Sequence, residues 1–184
     1  VKELSSYMAN PIRNEMKKIK RLIRYLKGVP KFVTTFGYQA KPNGLTAGSD
    51  SDFAGCKKSR KSTSGGLVMH GNHVIKSWST NQSVIALSSG EAEYYGLVKA
   101  ASVSIGVKTI MKDMGVELSE PIVIKSDASA AIGIAHRIGI GKVRHIEVNQ
   151  LWLQEKVSKK EILIVKVGTE DNLADALTKA VDAR

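Results

Sequence analysis

Four acidic residues of this sequence occupy positions at which α/β chains commonly gather metal ligands. Asp50 and Asp127 each end a predicted β-strand, Glu93 lies in the first turns of a predicted helix, and Asp175 lies in the last predicted helix. Strand ends and helix faces above one edge of a sheet are where such folds form their sites. Mg²⁺ prefers oxygen ligands, and two ions about 4 Å apart stabilise both the attacking and the leaving oxygen of a phosphodiester. The four carboxylates therefore indicate metal-dependent phosphodiester hydrolysis.

Each of these acids also has a purely structural interpretation. An aspartate at the end of a strand is a common polar stop, which applies to both Asp50 and Asp127. Glu91 and Glu93 both favour the positive N-terminal end of the helix that begins near them. Spacing alone therefore leaves two interpretations open, a metal site and a set of unrelated capping and turn residues.

The charge of the chain favours a polyanionic partner. Its formal charge is +11, from 28 Lys and Arg against 17 Asp and Glu. Residues 1–40 contain nine Lys and Arg and two Glu, a net charge of +7, which leaves +4 for the other 144 residues. Contacts to phosphates release counterions and give affinity that does not depend on base sequence, so nucleic acid fits this balance. A basic surface that serves only solubility is the alternative.

Length and composition are those of one folded domain. The chain has 184 residues, of which 42% are hydrophobic and 24% charged, enough for an α/β domain with a sizeable core. Its single cysteine, Cys56, cannot form an internal disulfide, as is common in a reducing compartment. No apolar run approaches the roughly 18–20 residues that span a bilayer. We expect an intracellular, cytoplasmic protein, with a virus-like particle or the nucleus as alternatives.

A basic amphipathic helix is predicted over Asn14–Lys27, because apolar residues recur there at helical spacing between Lys and Arg. Gly28 and Pro30 follow at positions typical of a helix end. The run from Lys41 to Gly44 is a turn signal, so the domain boundary is predicted near residue 40. This divides the chain into a basic helical segment, 1–40, and a main domain, 41–184.

The main domain is predicted to contain five strands and several helices in the order βββ-α-β-α-α-β-α. Gly71 and Asn72 form the tight turn of a hairpin, and Ser88 with Glu91 is spaced as a capping box at the start of the first core helix. The predicted strands are Leu45–Asp50, Gly65–His70, His73–Ser77, Ile122–Asp127 and Ile162–Val167. The later predicted helices are Ala128–Arg137, Arg144–Ser158 and Asp171–Val181.

Six stretches of the main domain together form a recognisable pattern: Ser49–Gly55, Arg60–Gly65, Ala86–Tyr94, Ser126–Ala131, Arg144–Glu147 and Leu173–Lys179. Through them the sequence resembles, over almost its whole length, the RNase H domain of copia-type (Pseudoviridae-like) LTR retrotransposon polyproteins. Through Tyr7–Pro11 and Arg21–Gly28, residues 1–40 are similar to the segment that joins reverse transcriptase to RNase H in those polyproteins.

The resemblance implies an RNase H-like α/β fold, a five-stranded mixed sheet with three antiparallel strands, then two parallel ones, flanked by helices. It implies ribonuclease H activity, the hydrolysis of the RNA strand of RNA/DNA hybrids in reverse transcription. Two Mg²⁺ ions, with Mn²⁺ as an alternative, are the implied cofactors, and the reverse transcriptase portion of the same polyprotein is an implied partner. The resemblance also implies the role of each acid: Asp50 is expected to bridge both metals, Glu93 and Asp127 to hold the first metal and its attacking water, and Asp175 to complete the second.

Two of these assignments have close competitors. Asp52 points the same way as Asp50 on an extended strand, but Asp50 better matches the strand-ending aspartate of the family. Glu93 is preferred to Glu91 because a small residue, Gly96, follows it at the third position, as in the family. Many RNase H enzymes also carry a histidine in the loop before the last aspartate, and here residues 168–172 contain none.

Candidate contacts to the hybrid lie in two segments. Four cations fall within residues 57–61, just after the first strand, and polar residues follow them, so phosphate contacts are predicted there. Two serines directly before the helix of Glu93 are suited to sugar or base edges in the minor groove, where a 2′-hydroxyl distinguishes RNA from DNA. A solvated basic loop and a helix cap are the structural alternatives. The predicted nucleic-acid-binding residues are Arg60, Lys61, Ser62, Thr63, Ser88 and Ser89.

Two other functions remain open at this point. One is a catalytically silent RNase H-like module that binds nucleic acid or serves as a scaffold in a reverse transcriptase. The other is an integrase or transposase core, which shares the general fold but joins DNA ends with three carboxylates. Retention of all four acids favours the ribonuclease over the silent module, because loss of any one of them weakens the hold on the metals.

Overall fold

The computed structural model describes residues 2–5, 7–11, 13–56, 58–139, 141, 146 and 150–179. The chain divides into two compact units, Val1–Tyr38 and Gln39–Arg184. The second unit contains the whole β-sheet and all four candidate acids. None of the described helices is both long and apolar enough to span a membrane.

The first unit consists of two helices, α1 (Lys2–Ser5) and α2 (Arg13–Gly28). The predicted helix over Asn14–Lys27 is confirmed and extends one residue further at each end. Lys18 pairs with Glu15 across 3.0 Å on this helix. Three of its apolar residues, Met16, Ile23 and Leu26, are each more than half exposed.

The second unit is built on one mixed sheet with the strand order β3-β2-β1-β4-β5. β1 (Thr46–Asp52), β2 (Thr63–His70) and β3 (His73–Asn81) pair antiparallel, and Gly71, with a φ of +61°, makes the tight turn between the last two. β4 (Ile122–Ser126) pairs parallel with β1, and β5 (Ile162–Lys166) pairs parallel with β4. The predicted fold class is confirmed.

Three helices of this unit contribute to the same core as the sheet: α3 (Ser89–Asp113), α4 (Ser129–His136) and α5 (Trp152–Ser158). α3 begins at Ser88, whose hydroxyl accepts a hydrogen bond from the backbone N–H of Glu91. This end of the predicted capping box is confirmed. Tyr94 and Leu97 of α3 are fully buried, and the core also includes the alternate isoleucines of β4 and β5. That alternation on β4 and β5 reflects one face packed inward and one turned outward.

The last predicted helix, Asp171–Val181, is wrong over the described residues. The chain forms two 3₁₀ turns there, Thr169–Asp171 and Asp175–Leu177. Asn172 is the physical reason, because its side-chain oxygen accepts from the backbone N–H of Ala174, a local bond that competes with helix formation. Residues 180–184 lie outside the described part. Of the predicted helix Arg144–Ser158, the part Trp152–Ser158 is helical, while residues 144, 145 and 147–149 lie outside the described part of the chain.

Candidate active site

Asp50 is a buried acid in the central strand β1, with an exposed fraction of 2%. Its predicted place at the strand end is wrong, because pairing with β2 continues to Asp52 opposite Thr63. The hydroxyl of Thr178 donates a hydrogen bond to Oδ2 of Asp50. Burial raises the pKa of Asp50, and the hydrogen bond from Thr178 acts in the opposite direction. Such a buried carboxyl needs donors or cations around it to be ionised near neutral pH.

Asp52 is directed elsewhere although it shares a face of β1 with Asp50. Its carboxylate lies against Gly55, so closely that a Cβ on that glycine would collide with it. Asp52 is therefore held within its own loop. Asp50 is the aspartate of β1 that contacts the turn carrying Asp175.

Glu91 and Glu93 have separate environments, and this distinguishes their roles. Oε2 of Glu91 accepts from the backbone N–H of Leu87 at 2.8 Å, and Oε1 accepts from the hydroxyl of Tyr95 at 2.7 Å. Glu91 thus completes the helix cap. Glu93 has a buried Oε2 with no hydrogen-bond partner among the described residues. Burial, followed by the charges of Asp50 and Asp127, raises the pKa of Glu93 to about 8.

Gly96 lets this part of α3 approach β1 closely. A Cβ built on Gly96 would lie 3.0 Å from Oγ of Ser49 and 3.5 Å from the carbonyl oxygen of Asp50. The glycine comes one helical turn after Glu93, so the close contact brings Glu93 beside the central strand. This gives a physical reason for the small residue at that position.

Asp127 follows β4 directly and is held by the segment after β5. The hydroxyl of Thr169 donates to Oδ2 of Asp127 at 2.9 Å. The side-chain amide of Asn172 donates to the carbonyl oxygen of Ser49 at 3.1 Å and lies 3.4 Å from Oδ1 of Asp127. Asn172 is 4% exposed and thereby links Asp127 to β1.

Asp175 begins the second 3₁₀ turn, which lies on the sheet beside Asp50. The hydroxyl of Ser79, on β3, donates to the carbonyl oxygen of Leu177 at 2.7 Å. Gly65 pairs with Asp50 across the β1–β2 ladder, and a Cβ there would lie 2.6 Å from Cγ2 of Thr178. The missing side chain of Gly65 is what lets the turn approach the sheet. Asp175 itself forms an ion pair with Lys179.

The four predicted acids therefore come together, although they belong to four different segments. The charges of Asp175 and Asp127 each raise the pKa of Asp50, and those of Asp50 and Asp127 raise the pKa of Glu93. Like charges disfavour one another's ionisation only when they are near neighbours. Mutual effects of this kind identify a concentration of negative charge at one edge of the sheet.

The donor set suits a hard divalent cation. Carboxylate oxygens are the ligands that Mg²⁺ and Mn²⁺ prefer, and the unpartnered Oε2 of Glu93 is a buried oxygen that a cation would satisfy. In their present side-chain arrangement, no three His, Cys, Asp or Glu groups of the described residues are placed to hold an ion. Thr178 and Lys179 instead contact Asp50 and Asp175. The four carboxylates are thus suitable ligands for a pair of metal ions, but their side chains would have to move before they could hold the ions.

The predicted nucleic-acid contacts divide into exposed and buried residues. Arg60 is exposed, Lys61 is half-buried, and Ser88 and Ser89 are exposed at the start of α3. Ser62 has no exposed surface, and its hydroxyl accepts from the backbone N–H of Ala54 at 3.0 Å. Thr63 is 2% exposed. Burial does not support phosphate contacts from Ser62 and Thr63, whose roles are in the fold of the loop and the sheet.

Four residues around the acids were missed by the sequence analysis. Thr169 and Asn172 hold Asp127, while Thr178 and Lys179 contact Asp50 and Asp175. Thr178 and Lys179 belong to the stretch Leu173–Lys179, which carries the resemblance. The resemblance could therefore have pointed to these two residues. No sequence pattern pointed to Thr169 and Asn172, because their role depends on contacts with Asp127, more than 40 positions earlier.

The chain is similar to long polyproteins of plant transposons. It is 32% identical over 180 residues to the retrovirus-related Pol polyprotein from transposon RE1 of Arabidopsis thaliana, a match that covers 97% of this chain and 12% of that protein. It is 30% identical over 179 residues to the Pol polyprotein from transposon TNT 1-94 of Nicotiana tabacum, covering 97% and 13%. The chain thus spans about an eighth of the length of these relatives. No family model matches the chain.

A solved structure shares the fold. The N-terminal RNase H domain of Rv2228c from Mycobacterium tuberculosis is 17% identical and aligns with a TM-score of 0.51. The alignment covers 73% of this chain and 90% of that one. At this identity the comparison concerns the fold alone, which is the arrangement of sheet and helices described above.

Proposed function

We propose that this chain, which belongs to the copia-type retrovirus-related Pol polyproteins, is a ribonuclease H domain. Its substrate is the RNA strand of an RNA/DNA hybrid, which it cleaves endonucleolytically by a two-metal mechanism during reverse transcription of the element. The partner in the same polyprotein is the reverse transcriptase. The basic charge of the chain agrees with a polyanionic substrate.

The environment of Glu93 is the observation that carries this proposal. Glu93 is half-buried, its Oε2 is buried without a hydrogen-bond partner among the described residues, and the charges of Asp50 and Asp127 raise its pKa although a backbone hydrogen bond at Ser51 lowers it. Grouping of acids with perturbed pKa values is typical of functional sites. Glu91, two residues earlier, shows the contrast, because both of its oxygens accept hydrogen bonds that complete a helix cap.

The proposed roles follow the positions of the acids. Asp50 would contact both ions, Glu93 and Asp127 would hold the first ion and orient the attacking water, and Asp175 would complete the ligands of the second ion. Divalent ions bound there would lower the pKa of that water and neutralise charge on the phosphate. Thr169 and Asn172 orient Asp127 through their hydrogen bonds. Precise orientation of ligands by such partners supports both metal affinity and rate.

Substrate contacts are proposed only for the four predicted residues that are not buried. Arg60 and Lys61 bind phosphates through charge. Ser88 and Ser89 lie at the start of α3, where the Ser88 hydroxyl accepts from the backbone N–H of Glu91 and keeps its own proton to donate to a sugar edge. Arg60 has a φ of +58°, so its backbone adopts a conformation that is uncommon outside glycine. We propose that the loop conformation presents its guanidinium to the backbone of the hybrid.

A silent binding module is the second candidate, and one observation favours it. The side chains of Thr178 and Lys179 contact Asp50 and Asp175, so part of the acid cluster has internal partners. A module that never binds metal would need such partners to keep buried acids in the folded state. This candidate predicts hybrid binding that is unaffected by divalent ions.

The deciding experiment is cleavage of a labelled RNA/DNA hybrid by the full chain with Mg²⁺ or Mn²⁺. We expect cutting of the RNA strand only, with single-stranded RNA and duplex DNA left intact. Asp50→Asn and Asp127→Asn should each reduce the rate at least about 100-fold. Asp113→Asn, an exposed aspartate at the end of α3, is the matched control and should cut as the parent does. Equal cutting by Asp50→Asn and the parent would overturn the proposed site.

A further inference from the structure

The ammonium group of Lys179 lies at the candidate metal site. Lys179 forms an ion pair with Oδ1 of Asp175, four residues earlier in the chain. The side chain of Asp175 is 29% exposed. The preceding residue, Thr178, donates its hydroxyl to Oδ2 of Asp50. Two consecutive side chains therefore contact the two acids to which we assign the second ion.

The charge of Lys179 acts on more than its direct partner. The hydrogen bond to Asp175 raises the pKa of Lys179, and the charges of Asp50, Asp175 and Asp127 raise it further. The charge of Lys179 also lowers the pKa of Glu93, so all four candidate acids interact with this single cation. A positive charge close to several carboxylates reduces their mutual repulsion in the same way as a bound cation does.

A second lysine of the chain shows how an ordinary surface pair differs. Lys159 also pairs with an acid four residues earlier, Glu155, at 2.6 Å. Its side chain and that of Glu155 are 58% and 62% exposed, so both ends of the pair are in solvent. Exposed pairs of this kind contribute little to stability. Lys159 therefore provides a control of the same residue type, paired at the same spacing but with an exposed glutamate.

We propose that Lys179 is a built-in competitor of the second divalent ion, holding Asp175 until that ion displaces its ammonium group. The inference rests on the proposed two-metal function, since it concerns the occupancy of that site. Two positive charges repel at one carboxylate, so the ion and the ammonium group exclude each other from Asp175. Thr178 assists by directing Asp50 toward the same turn. The consequence is a higher requirement for divalent ion than the four acids alone would impose.

The test is calorimetric titration of the full chain with Mn²⁺ alone, without nucleic acid. We expect Lys179→Gln to bind the ion roughly three- to ten-fold more tightly than the parent, because one competing charge is removed. Lys179→Arg keeps the charge and should bind within about two-fold of the parent. Lys159→Gln is the surface control and should also match the parent.

Two failures can be distinguished in the same titrations. If the parent binds Mn²⁺ and Lys179→Gln binds it equally or more weakly, the competition is overturned while the metal-dependent function stands. If neither the parent nor any variant binds Mn²⁺, and the parent does not cut the hybrid, the proposed function fails and the competition fails with it.

A measurement on the parent keeps the proposal testable if Lys179→Gln does not fold. The lysines are ¹³C-methylated, which preserves their charge, and the Lys179 resonance is assigned by its loss in Lys179→Arg. Mg²⁺ at saturating concentration should shift that resonance while the Lys159 resonance stays in place. A Lys179 resonance that does not move on saturation with Mg²⁺ contradicts the displacement.

Discussion

The hydroxyl of Thr178 donates a hydrogen bond to Oδ2 of Asp50, a residue 128 positions earlier in the chain. This contact ties the last described turn to the central strand. Ser79 provides a second tie, through its hydrogen bond to the carbonyl oxygen of Leu177. The position of Asp175 over the sheet depends on these ties and on the close approach that Gly65 permits.

Gly65→Ala should impair the site while the sheet still forms. A Cβ at this position would lie 2.6 Å from Cγ2 of Thr178 and 3.0 Å from Cβ of Leu177, so the turn must move away. We expect hybrid cleavage to fall roughly 10- to 100-fold, because displacement of a metal ligand by a few tenths of an ångström weakens its hold. Cleavage rates, with circular dichroism as a check on folding, would measure this.

Gly48→Ala is the matched control for that substitution. Gly48 lies in β1, next to β2, and the nearest atoms to its added Cβ would be 3.6 Å away, an ordinary contact distance. This variant should cut at a rate close to that of the parent. If the two alanine variants lose activity equally, the explanation through the turn is wrong.

Glu93→Gln should lower the cleavage rate and leave stability intact, whereas Glu91→Gln should lower stability and leave the cleavage rate intact. Glu93→Gln removes a candidate metal ligand, so we expect at least about a 100-fold loss of cleavage. Its stability should be unchanged or higher, because a neutral amide replaces a buried acid whose ionised form is disfavoured. Glu91→Gln should keep activity but lower the free energy of unfolding by about 1 kcal/mol, since a cap partner is weakened. Parallel cleavage and denaturation measurements decide between the two assignments.

The stability of the chain in a chelator should fall as pH rises. The pKa of Glu93 is raised from 4.5 to about 8, so between these values the folded state binds a proton that the unfolded state has lost. Because this proton is taken up on folding, the free energy of unfolding decreases as pH rises. The stabilisation that protonated Glu93 gives is fully present below pH 4.5 and is lost by about pH 8. Burial also raises the pKa of Asp50, which acts in the same direction. We expect the melting temperature to fall by roughly 5 °C across this range.

Glu93→Gln provides the control for this pH dependence. The variant has no titrating group at position 93, so its melting temperature should change less over the same range. A parent and a variant with identical pH profiles would show that Glu93 does not titrate in the folded chain as described.

Asn172→Ala should weaken the site by releasing Asp127. The side chain of Asn172 bonds to Ser49 and Ala174 and lies within 3.4 Å of Asp127, so its loss frees the acid and the turn together. We expect cleavage to fall about 10- to 100-fold and the half-saturating Mn²⁺ concentration to rise. Asn81→Ala, at an exposed position at the end of β3, should leave both unchanged. An unaltered Mn²⁺ requirement in Asn172→Ala would contradict a positioning role.

Much of the fold was predictable because it depends on local patterns. The hairpin at Gly71 and Asn72, the cap at Ser88 and the alternating isoleucines of β4 and β5 each act over a few residues. Alternation and helical spacing report which face is buried, and turn residues report where the chain reverses. The last helix failed for a comparable reason, because the side chain of Asn172 bonds to its own backbone and stops the helix.

By itself, the sequence predicted the order of the strands along the chain, the start of α3 at Ser88 and the four acids that a metal-dependent nuclease would use. Only the tertiary structure showed that Glu91 completes a helix cap whereas Oε2 of Glu93 is buried without a partner among the described residues, since the two acids differ in packing rather than in type. It also revealed Thr178 and Lys179 as partners of Asp50 and Asp175. Such contacts depend on how distant segments pack against one another, and that packing cannot be predicted from local patterns of residue types.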